Sequence, residues 1–393
     1  MLKVLRILVF MLFLVVLASF YGITYRQSII SHMSLFPAGY IFNAFNPKPF
    51  TTQANGTIYV LSTKPSLSSS ETFTENIART EKTSLGTNNT SSVTSGSISS
   101  TPINPSDILE GGDSIIFLET SDRMQLPSLV LCAIESAAHV YKDRPVVYFM
   151  KGLNDTNSKV TAMEYFPMLS SFNNVYFFPL RMDNIFKDTP LLSWYQKVNQ
   201  DKEPHWVHIS ADGCRLALLW KHGGIYMDTD MISIRTIPHQ NFLAAQASKF
   251  SSNGVFGFSS HHNFTWQSMN NFVKHYNAKI WGHQGPHLFT RVLKELCDLP
   301  QFQGLEDITC RNITFLNPQR FYPISYPSWK KYYQVWNSLP TFNDSYALHL
   351  WNYMNRNIKV NMVPGSNTLV EQLYKQHCPS TYAAIITNQT APF

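Results

Sequence analysis

The sequence contains few charged side chains, and they form no basic block. Asp, Glu, Lys and Arg make up 14% of the 393 residues, against about 25% in an average soluble domain. The net charge of +6 is spread along the chain, which excludes the basic patch typical of nucleic-acid-binding proteins. Hydrophobic residues still make up 44% of the chain and aromatic residues 14%, so a large core can form and wholesale disorder is excluded.

Closely spaced cysteine pairs are also missing, because none of the five cysteines forms a Cys-x-x-Cys motif. This absence counts against a structural zinc site and against a thioredoxin-like redox site. Five cysteines fit one or two disulfides in an oxidising compartment, with at least one thiol left over. They are Cys132, Cys214, Cys297, Cys310 and Cys378.

An uncharged apolar segment lies near the N-terminus, at residues 7–25. A helix of about 19 residues can cross a thin bilayer of the early secretory pathway, and Lys3 and Arg6 before it favour a cytosolic N-terminus. We therefore expect a cytosolic tail at residues 1–6, a single signal anchor at 7–25 and a lumenal chain beyond it. The alternative is a cleaved signal peptide ending near 16–18, but the apolar run continues past that point.

Residues 26–110 are predicted to form a stem. Between about 51 and 106 the chain is rich in Ser and Thr, a composition that cannot bury a core and is typical of an O-glycosylated stalk or a flexible linker. Asn-x-Ser/Thr sequons along the chain agree with a lumenal location. They begin at Asn55, Asn88, Asn89, Asn154, Asn263, Asn312, Asn343 and Asn388.

From about residue 111 onward, short apolar runs alternate with segments of helical spacing. We expect strands at 114–118, 146–149 and 175–178, and helices at 129–141 and 161–170. This alternation predicts an α/β domain over residues 111–393, with a largely parallel sheet and helices on both sides.

The carboxyl ends of the strands in such a sheet are where ligands bind. The loop after the first expected strand, at residues 119–121, is therefore a candidate nucleotide contact through Glu119 and Thr120. The other interpretation is that a Ser or Asp here caps the start of a helix. Both interpretations remain open from the residues alone.

A helix-to-strand step in the middle of the chain carries the clearest chemical signal. Gly223-Gly224 supplies the positive φ that ends a helix, and an apolar strand at 225–227 follows at once. The strand delivers Asp228 and Asp230 to the carboxyl edge of the sheet. Two such carboxylates repel each other unless a cation lies between them or one is protonated. Mg²⁺ or Mn²⁺, held together with a diphosphate, would remove that repulsion.

Asp212 and Arg215 lie three residues apart on the preceding helix, so they share one face. One interpretation is an ordinary surface ion pair, which contributes only a few tenths of a kcal/mol. The other is a binding group for sugar hydroxyls beside the metal, in which the guanidinium donates and the carboxylate accepts.

Aspartyl-phosphate phosphatases also carry Asp-x-Asp at a strand end, with one Asp attacking phosphorus. That interpretation predicts Thr or Val at position 232, where this chain has Ile232, and a later acidic pair that is not found. It also gives no role to Gly223-Gly224 or to Arg215.

The block from Asp212 to Asp230 reads Asp-x-x-Arg-x-x-x-Leu-x-x-x-Gly-Gly-x-Tyr-x-Asp-x-Asp. It resembles the signature of the DXD-containing sugar transferases of glycosyltransferase family 32, and within them the vertebrate α1,4 subgroup. The similarity covers roughly residues 113–378, and Ala211 departs from it where Ser is expected. The shared stretches are 117–121, 281–286 and 347–352, and with N-acetylglucosaminyl members also 135–138, 149–153, 242–248, 251–254 and 318–325.

The resemblance implies a GT-A fold, a UDP-sugar donor, Mn²⁺ and retention of the anomeric configuration. Carried over residue by residue, it also implies roles around one site. Asp228, Asp230 and His349 would bind the metal, and Asp228 and Asp230 would contact the UDP as well. Asp212, Arg215 and Trp281 would bind the donor, with Trp281 stacking on a sugar. Glu119 and Thr120 would lie near the nucleoside of the donor, and Gln284 would lie near the reacting centre.

The N-acetylglucosaminyl members imply a type II Golgi enzyme that moves N-acetylglucosamine in α1,4 linkage to a terminal β-galactose of mucin-type O-glycans on glycoproteins. The alternatives are transfer of galactose or N-acetylgalactosamine to glycolipids, or an inactive lumenal scaffold. A homo-oligomer stays open, and no nucleic-acid partner is expected.

Sugar transfer with retention of the anomeric configuration can follow two chemical routes. The first is a double displacement through an enzyme carboxylate or amide, and the second is a front-face attack in which the acceptor hydroxyl enters beside the departing phosphate. No clear nucleophile stands out in the sequence, which favours the front-face route with the β-phosphate accepting the proton.

Overall fold

The computed structural model describes residues 104–153, 164–298 and 301–387. They all belong to a unit that spans Val93–Phe393. The predicted cytosolic tail, the anchor and most of the stem lie outside the described residues. Within the described part, no helix is both long and apolar enough to cross a bilayer.

An eight-stranded sheet forms the centre of the domain, with strand order β3-β2-β1-β4-β7-β6-β9-β8. A second sheet pairs β10 with β5. The strands are β1 (Ile115–Glu119), β2 (Val146–Met150), β3 (Val175–Pro179), β4 (Gly224–Met227), β5 (Met231–Ser233), β6 (Phe242–Ala247), β7 (Phe250–Phe258), β8 (Ile308–Cys310), β9 (Ile313–Leu316) and β10 (Ala347–His349).

The expectation of a largely parallel sheet is correct for only one half. Strands β3, β2, β1 and β4 are parallel, but β7 runs antiparallel to both β4 and β6, and β8 runs antiparallel to β9. The reason is local. Only two residues separate β6 from β7, and Lys249 adopts φ 61° there. So tight a turn joins antiparallel neighbours, whereas parallel strands need a long crossover.

Helices cover both faces of the sheet, as expected. One apolar cluster joins Ile115 and Phe117 of β1 to α2, α9 and α10, and the other joins Ile116 and Leu118 of the same strand to α5, α6 and α7. The helices are α1 (Pro105–Leu109), α2 (Ser128–Val140), α3 (Met182–Phe186), α4 (Leu191–Lys197), α5 (Trp206–His222), α6 (Asn263–Lys274), α7 (Pro286–Leu296), α8 (Asn352–Asn355), α9 (Leu369–His377) and α10 (Pro379–Ile386).

The three expected strands and the first expected helix form within one or two residues of their predicted bounds. The helix expected at 161–170 does not extend through that range. A 3₁₀ turn at Pro167–Leu169 occupies its C-terminal part, because Pro167 has no N–H to donate and its ring clashes with a preceding helical turn. Residues 161–163 lie outside the described part.

Two disulfides form, and one buried thiol is left over, as the cysteine count predicts. Cys132–Cys378 links α2 to the residue between α9 and α10, and Cys297–Cys310 links the end of α7 to β8. Cys214 is free and buried in α5.

The carboxylate of Glu371 is the centre of a polar cluster in α9. It accepts hydrogen bonds from the backbone N–H groups of Gly365 and Asn367, each at 2.6 Å, and from the Tyr382 hydroxyl at 2.8 Å. Lys375 lies 3.0 Å away. Burial opposes the charge, but these donors outweigh it and lower the pKa of Glu371 to about 2.

A lowered pKa means that the ionised form stabilises the fold. This contribution is complete above the unfolded pKa of about 4.5 and is lost as the pH falls toward 2. We therefore expect Glu371→Gln to lower the melting temperature at pH 7 by on the order of 5 °C. The difference from the parent should shrink between pH 4.5 and 2, as followed by thermal denaturation.

Glu110→Gln is the matched control, because Glu110 is exposed and has no hydrogen bond or ion pair with the described residues. Its melting curve should coincide with that of the parent. A pH-independent loss in Glu371→Gln would show that the carboxylate charge is not what stabilises this cluster.

Candidate functional site

The step from α5 to β4 depends on two glycines with positive φ. Gly223 has φ 73° and Gly224 has φ 102°, so side chains would be strained at both positions. Space excludes them as well: a Cβ on Gly224 would lie 2.5 Å from the carbonyl oxygen of Ser114, and one on Gly223 would lie 2.8 Å from the Ser260 nitrogen. The tight turn lets β4 start beside β1 and deliver Asp228 to the carboxyl edge.

Asp228, Asp230 and His349 come together at this edge, with one ligand atom from each lying within 4.8 Å of the others. Nε2 of His349 is 3.2 Å from Oδ1 of Asp230 and 3.9 Å from Oδ2 of Asp228. The second sheet brings the histidine here, because His349 of β10 pairs with Met231 of β5, the residue directly after Asp230.

The guanidinium of Arg215 holds Asp228 in place. It donates to Oδ1 of Asp228 at 2.9 Å, and the Tyr226 hydroxyl donates to the same oxygen at 2.7 Å. Burial opposes the charge of Asp228, but Arg215, His349 and Tyr226 outweigh it and lower the pKa of Asp228. Burial also opposes the charge of Arg215, yet its anionic neighbours raise the pKa of Arg215 further.

The other two carboxylates are harder to ionise. Burial raises the pKa of Asp230 despite His349 and despite the Asn352 backbone N–H, which donates to Oδ2 at 2.8 Å. Burial also raises the pKa of Asp212 to about 6, although Arg215 lies 3.6 Å away. In His349, burial is outweighed by Asp230 and Asp228, so the pKa of the imidazole is raised.

The donor set fits a hard divalent cation. Two carboxylates and an imidazole offer the oxygen and nitrogen ligands that Mn²⁺ and Mg²⁺ accept. Asp212 and Asp228 share the single guanidinium of Arg215, and Asp230 adds a third carboxylate beside His349, so three carboxylates face one permanent cation. A buried excess of negative charge of this kind is stabilised by a metal ion.

Comparisons with known proteins agree with this geometry. The protein-family model for the alpha 1,4-glycosyltransferase conserved region matches residues 257–385. The family model for the glycosyltransferase sugar-binding region containing the DXD motif matches residues 127–249. Human alpha-1,4-N-acetylglucosaminyltransferase is 57% identical over 274 residues, which cover 69% of this chain and 80% of the relative. Human lactosylceramide 4-alpha-galactosyltransferase is 39% identical over 276 residues, 69% of this chain and 77% of the relative.

This chain belongs to the α1,4-glycosyltransferase family. The two family regions meet at the site, because the DXD sugar-binding region contains Asp228 and Asp230 and the alpha 1,4-glycosyltransferase conserved region contains His349. The solved galactosyltransferase LgtC, in complex with donor and acceptor sugar analogues, covers 64% of this chain and 98% of its own at 11% identity and a TM-score of 0.34, a likeness too distant to bear on the fold.

Glu119 and Thr120 lie at the carboxyl end of β1, beside β4. Both side chains form hydrogen bonds with other residues of the protein. The Glu119 carboxylate accepts from the N–H and hydroxyl of Ser121 and from the Arg123 guanidinium. The Thr120 hydroxyl donates to the carbonyl of Val207 at 2.6 Å and so ties β1 to the first turn of α5. Residues 119–121 do not start a helix. Their nucleoside role stays a prediction.

Gln284 is buried, and its amide nitrogen donates to the carbonyl of Phe272 at 2.8 Å. Its Oε1 is also buried and has no partner among the described residues. The next residue, Gly285, packs so closely on Asn253 that a Cβ there would lie 2.8 Å from the Asn253 amide. Trp281 in the same loop is 43% exposed, so it is not an ordinary core aromatic.

Asn253 on β7 was missed as a site residue by sequence reasoning. Its side-chain amide donates a hydrogen bond to Oδ1 of Asp212 at 2.6 Å, and its backbone carbonyl accepts one from the Arg215 guanidinium at 2.7 Å. The only signal was the stretch 251–254, which carries the family resemblance without an assigned role. The backbone carbonyl of the next residue, Gly254, accepts a hydrogen bond from the backbone N–H of Asp228 at 2.7 Å. Asn253 thus fixes Asp212 and Arg215 relative to Asp228.

Gly254 leaves room for a proposed metal ligand, since a Cβ at this position would lie 2.7 Å from Oδ2 of Asp228. Arg215 and Tyr226 hold that carboxylate, so it cannot move aside freely. We expect Gly254→Ala to weaken Mn²⁺ binding by about tenfold or more, as measured by titration calorimetry, while the melting temperature changes little.

Gly304→Ala is the matched control, because a Cβ on Gly304 would meet no atom within 4 Å. It should bind Mn²⁺ like the parent. Equal affinities of the two variants would contradict the close packing of Gly254 on Asp228.

Proposed function

We propose that this chain is a retaining α1,4-N-acetylglucosaminyltransferase. It transfers N-acetylglucosamine from UDP-N-acetylglucosamine to a terminal β-galactose of mucin-type O-glycans on glycoproteins. The observation that carries the proposal is the complete Asp228–Asp230–His349 cluster in a chain that is 57% identical to human alpha-1,4-N-acetylglucosaminyltransferase.

The proposal includes a GT-A type domain and Mn²⁺ held by Asp228, Asp230 and His349. A mixed sheet whose parallel half ends beside Asp228 is consistent with that fold. When bound, the metal would neutralise the diphosphate of UDP, so that UDP can leave without a general acid.

The protein's own side chains position the donor. Asp212 would accept a hydrogen bond from a hydroxyl of the donor sugar, and Asn253 keeps that carboxylate in place. Arg215 fixes Asp228 and adds positive charge near the leaving phosphate. Because Asn253 and Arg215 already bind Oδ1 of Asp212, this carboxylate is better suited to binding than to nucleophilic attack. This favours the front-face route.

Transfer of galactose to a glycolipid is the second candidate function. It is supported by the 39% identity to human lactosylceramide 4-alpha-galactosyltransferase. The donor sugars differ at C2 and C4, so a donor panel separates the two candidates. An inactive scaffold is disfavoured because all three members of the metal cluster are present.

The location proposed for this activity is the Golgi lumen, with a single-pass type II anchor at residues 7–25. The uncharged apolar run supports the anchor. The Cys132–Cys378 and Cys297–Cys310 disulfides support an oxidising compartment.

The protein should release UDP from UDP-N-acetylglucosamine in the presence of Mn²⁺ and a β-galactoside, and chelation should stop the reaction. Asp230→Asn keeps the shape of the side chain but removes a charged ligand. We expect it to lower turnover by about 100-fold or more, as measured by UDP release across a panel of UDP-sugars and of O-glycan and glycolipid acceptors.

Asp298→Asn is the control, since Asp298 is exposed and makes no hydrogen bond or ion pair with the described residues. It should keep parental turnover. Preference for UDP-galactose and glycolipids would replace the first candidate by the second. No UDP release with any donor, with Asp230→Asn behaving like the parent, would refute a transferase.

A further inference from the structure

Four side chains form an aromatic and cationic cluster beside the metal residues. The rings of Trp281 and Tyr353 are stacked, with centroids 3.9 Å apart and an angle of 12° between their planes. His208 meets both rings edge to face at 4.7 and 5.2 Å. The guanidinium of Arg356 lies over the Tyr353 ring at 3.9 Å from its centroid. We call these four residues the aromatic platform.

The aromatic platform is attached to the candidate site on two sides. His208 lies one turn before Asp212 on α5, so both project from the same face of the helix. Tyr353 directly follows Asn352, whose N–H donates to the Asp230 carboxylate at 2.8 Å. The platform therefore adjoins both the residue proposed to bind the donor sugar and a proposed metal ligand.

The platform is open to solvent, although its position is fixed. Trp281 is 43% exposed, and His208 and Arg356 are also exposed. Its loop is held by Gln284, which donates to Phe272, and by Arg291, which donates to the carbonyl of His283 at 3.1 Å. An exposed aromatic ring on a well-fixed loop is a feature of binding sites rather than of cores.

The chemistry of the platform suits an uncharged sugar. One face of β-galactose carries C–H groups that pack on an aromatic ring, while its hydroxyls need hydrogen-bonding partners. The ring nitrogens of His208 make no hydrogen bond within the described residues, and Arg356 keeps donors beyond the one that binds the carbonyl of Tyr353. Both groups can therefore bind hydroxyls around a stacked sugar.

The solvent exposure of the platform indicates which of the two substrates, acceptor or donor, binds there. The diphosphate of the donor must reach the metal residues and the donor sugar must reach Asp212, and the side chains of Asp230 and Asp212 are each only 14% exposed. The acceptor carries no phosphate and stays attached to a larger molecule, so its subsite must open to solvent. Building on the proposed function, we propose that Trp281, Tyr353, His208 and Arg356 form the subsite for the terminal β-galactoside of the acceptor. Trp281 thus binds the acceptor sugar rather than the donor.

Trp281→Ala tests this subsite, with Trp281→Phe as the conservative variant. We expect Trp281→Ala to raise the acceptor KM by about tenfold, with little change in the KM for UDP-N-acetylglucosamine or in slow donor hydrolysis by water. Trp281→Phe should recover most of the loss. A second readout needs no turnover: saturation-transfer NMR of methyl β-galactoside with protein that holds UDP and the diamagnetic ion Mg²⁺ should give a signal for the parent and lose it in Trp281→Ala.

Trp266→Ala is the matched control. Trp266 is 36% exposed and packs on Trp220 with ring centroids 4.8 Å apart. Trp220 lies about 18 Å along α5 from His208. Trp266→Ala should keep the acceptor KM and the NMR signal.

Three results would overturn the acceptor subsite. The first is a rise in donor KM with an unchanged acceptor KM, which would show that Trp281 binds the donor. The second is no change in either KM, which would make the stacking structural. The third is no galactoside signal from parent protein that still binds UDP and Mg²⁺. By contrast, parent protein that binds the galactoside but releases no UDP from any donor would refute the proposed activity and leave the subsite standing.

Discussion

The buried guanidinium of Arg215 is the interaction on which the rest of the site depends. It touches Asp228, Asp212 and the carbonyl of Asn253, and it lies over the Tyr226 ring at 4.2 Å from the centroid. A buried cation is tolerable only when anions surround it closely. Here two carboxylates, those of Asp212 and Asp228, pair with the one guanidinium of Arg215, so its positive charge cannot balance both. The ion pairs of Arg215 with Asp212 and Asp228 therefore order the site and leave the third carboxylate, Asp230, to His349.

Backbone geometry makes this arrangement possible. The turn at Gly223-Gly224 starts β4 without a loop, and the close approach of Gly254 to Asp228 leaves no room for a side chain between β4 and β7. These positions require glycine because another chain segment occupies the space of a Cβ, which is a stricter condition than flexibility. The antiparallel pairing of β4 and β7 then brings Asn253 beside Arg215.

Local signals in the sequence predicted much of the fold. The buried strands, the first helix and the helix-to-strand step all follow from residue types within a short window, whereas the cysteine count allowed either one or two disulfides. The mixed half of the sheet, in which β6 and β9 are parallel and the other pairs are antiparallel, and the network around Asn253 do not follow in this way, because strand order and register are set by packing between distant segments. Asn352 and Asp230 hydrogen-bond across 122 residues, and only the family resemblance, with no local pattern, drew attention to that part of the chain.

The Cys132–Cys378 disulfide encloses almost the whole site in one covalent ring. It joins residues separated by 246 positions, and the covalent ring it closes contains every proposed site residue except Glu119 and Thr120. During synthesis Cys378 emerges after all of them, shortly after the strand that carries His349. The DXD carboxylates are thus made long before their histidine partner and before the ring closes. Because His349 follows Asp230 by 119 positions, the metal cluster can be completed only after the C-terminal part of the domain has been synthesised.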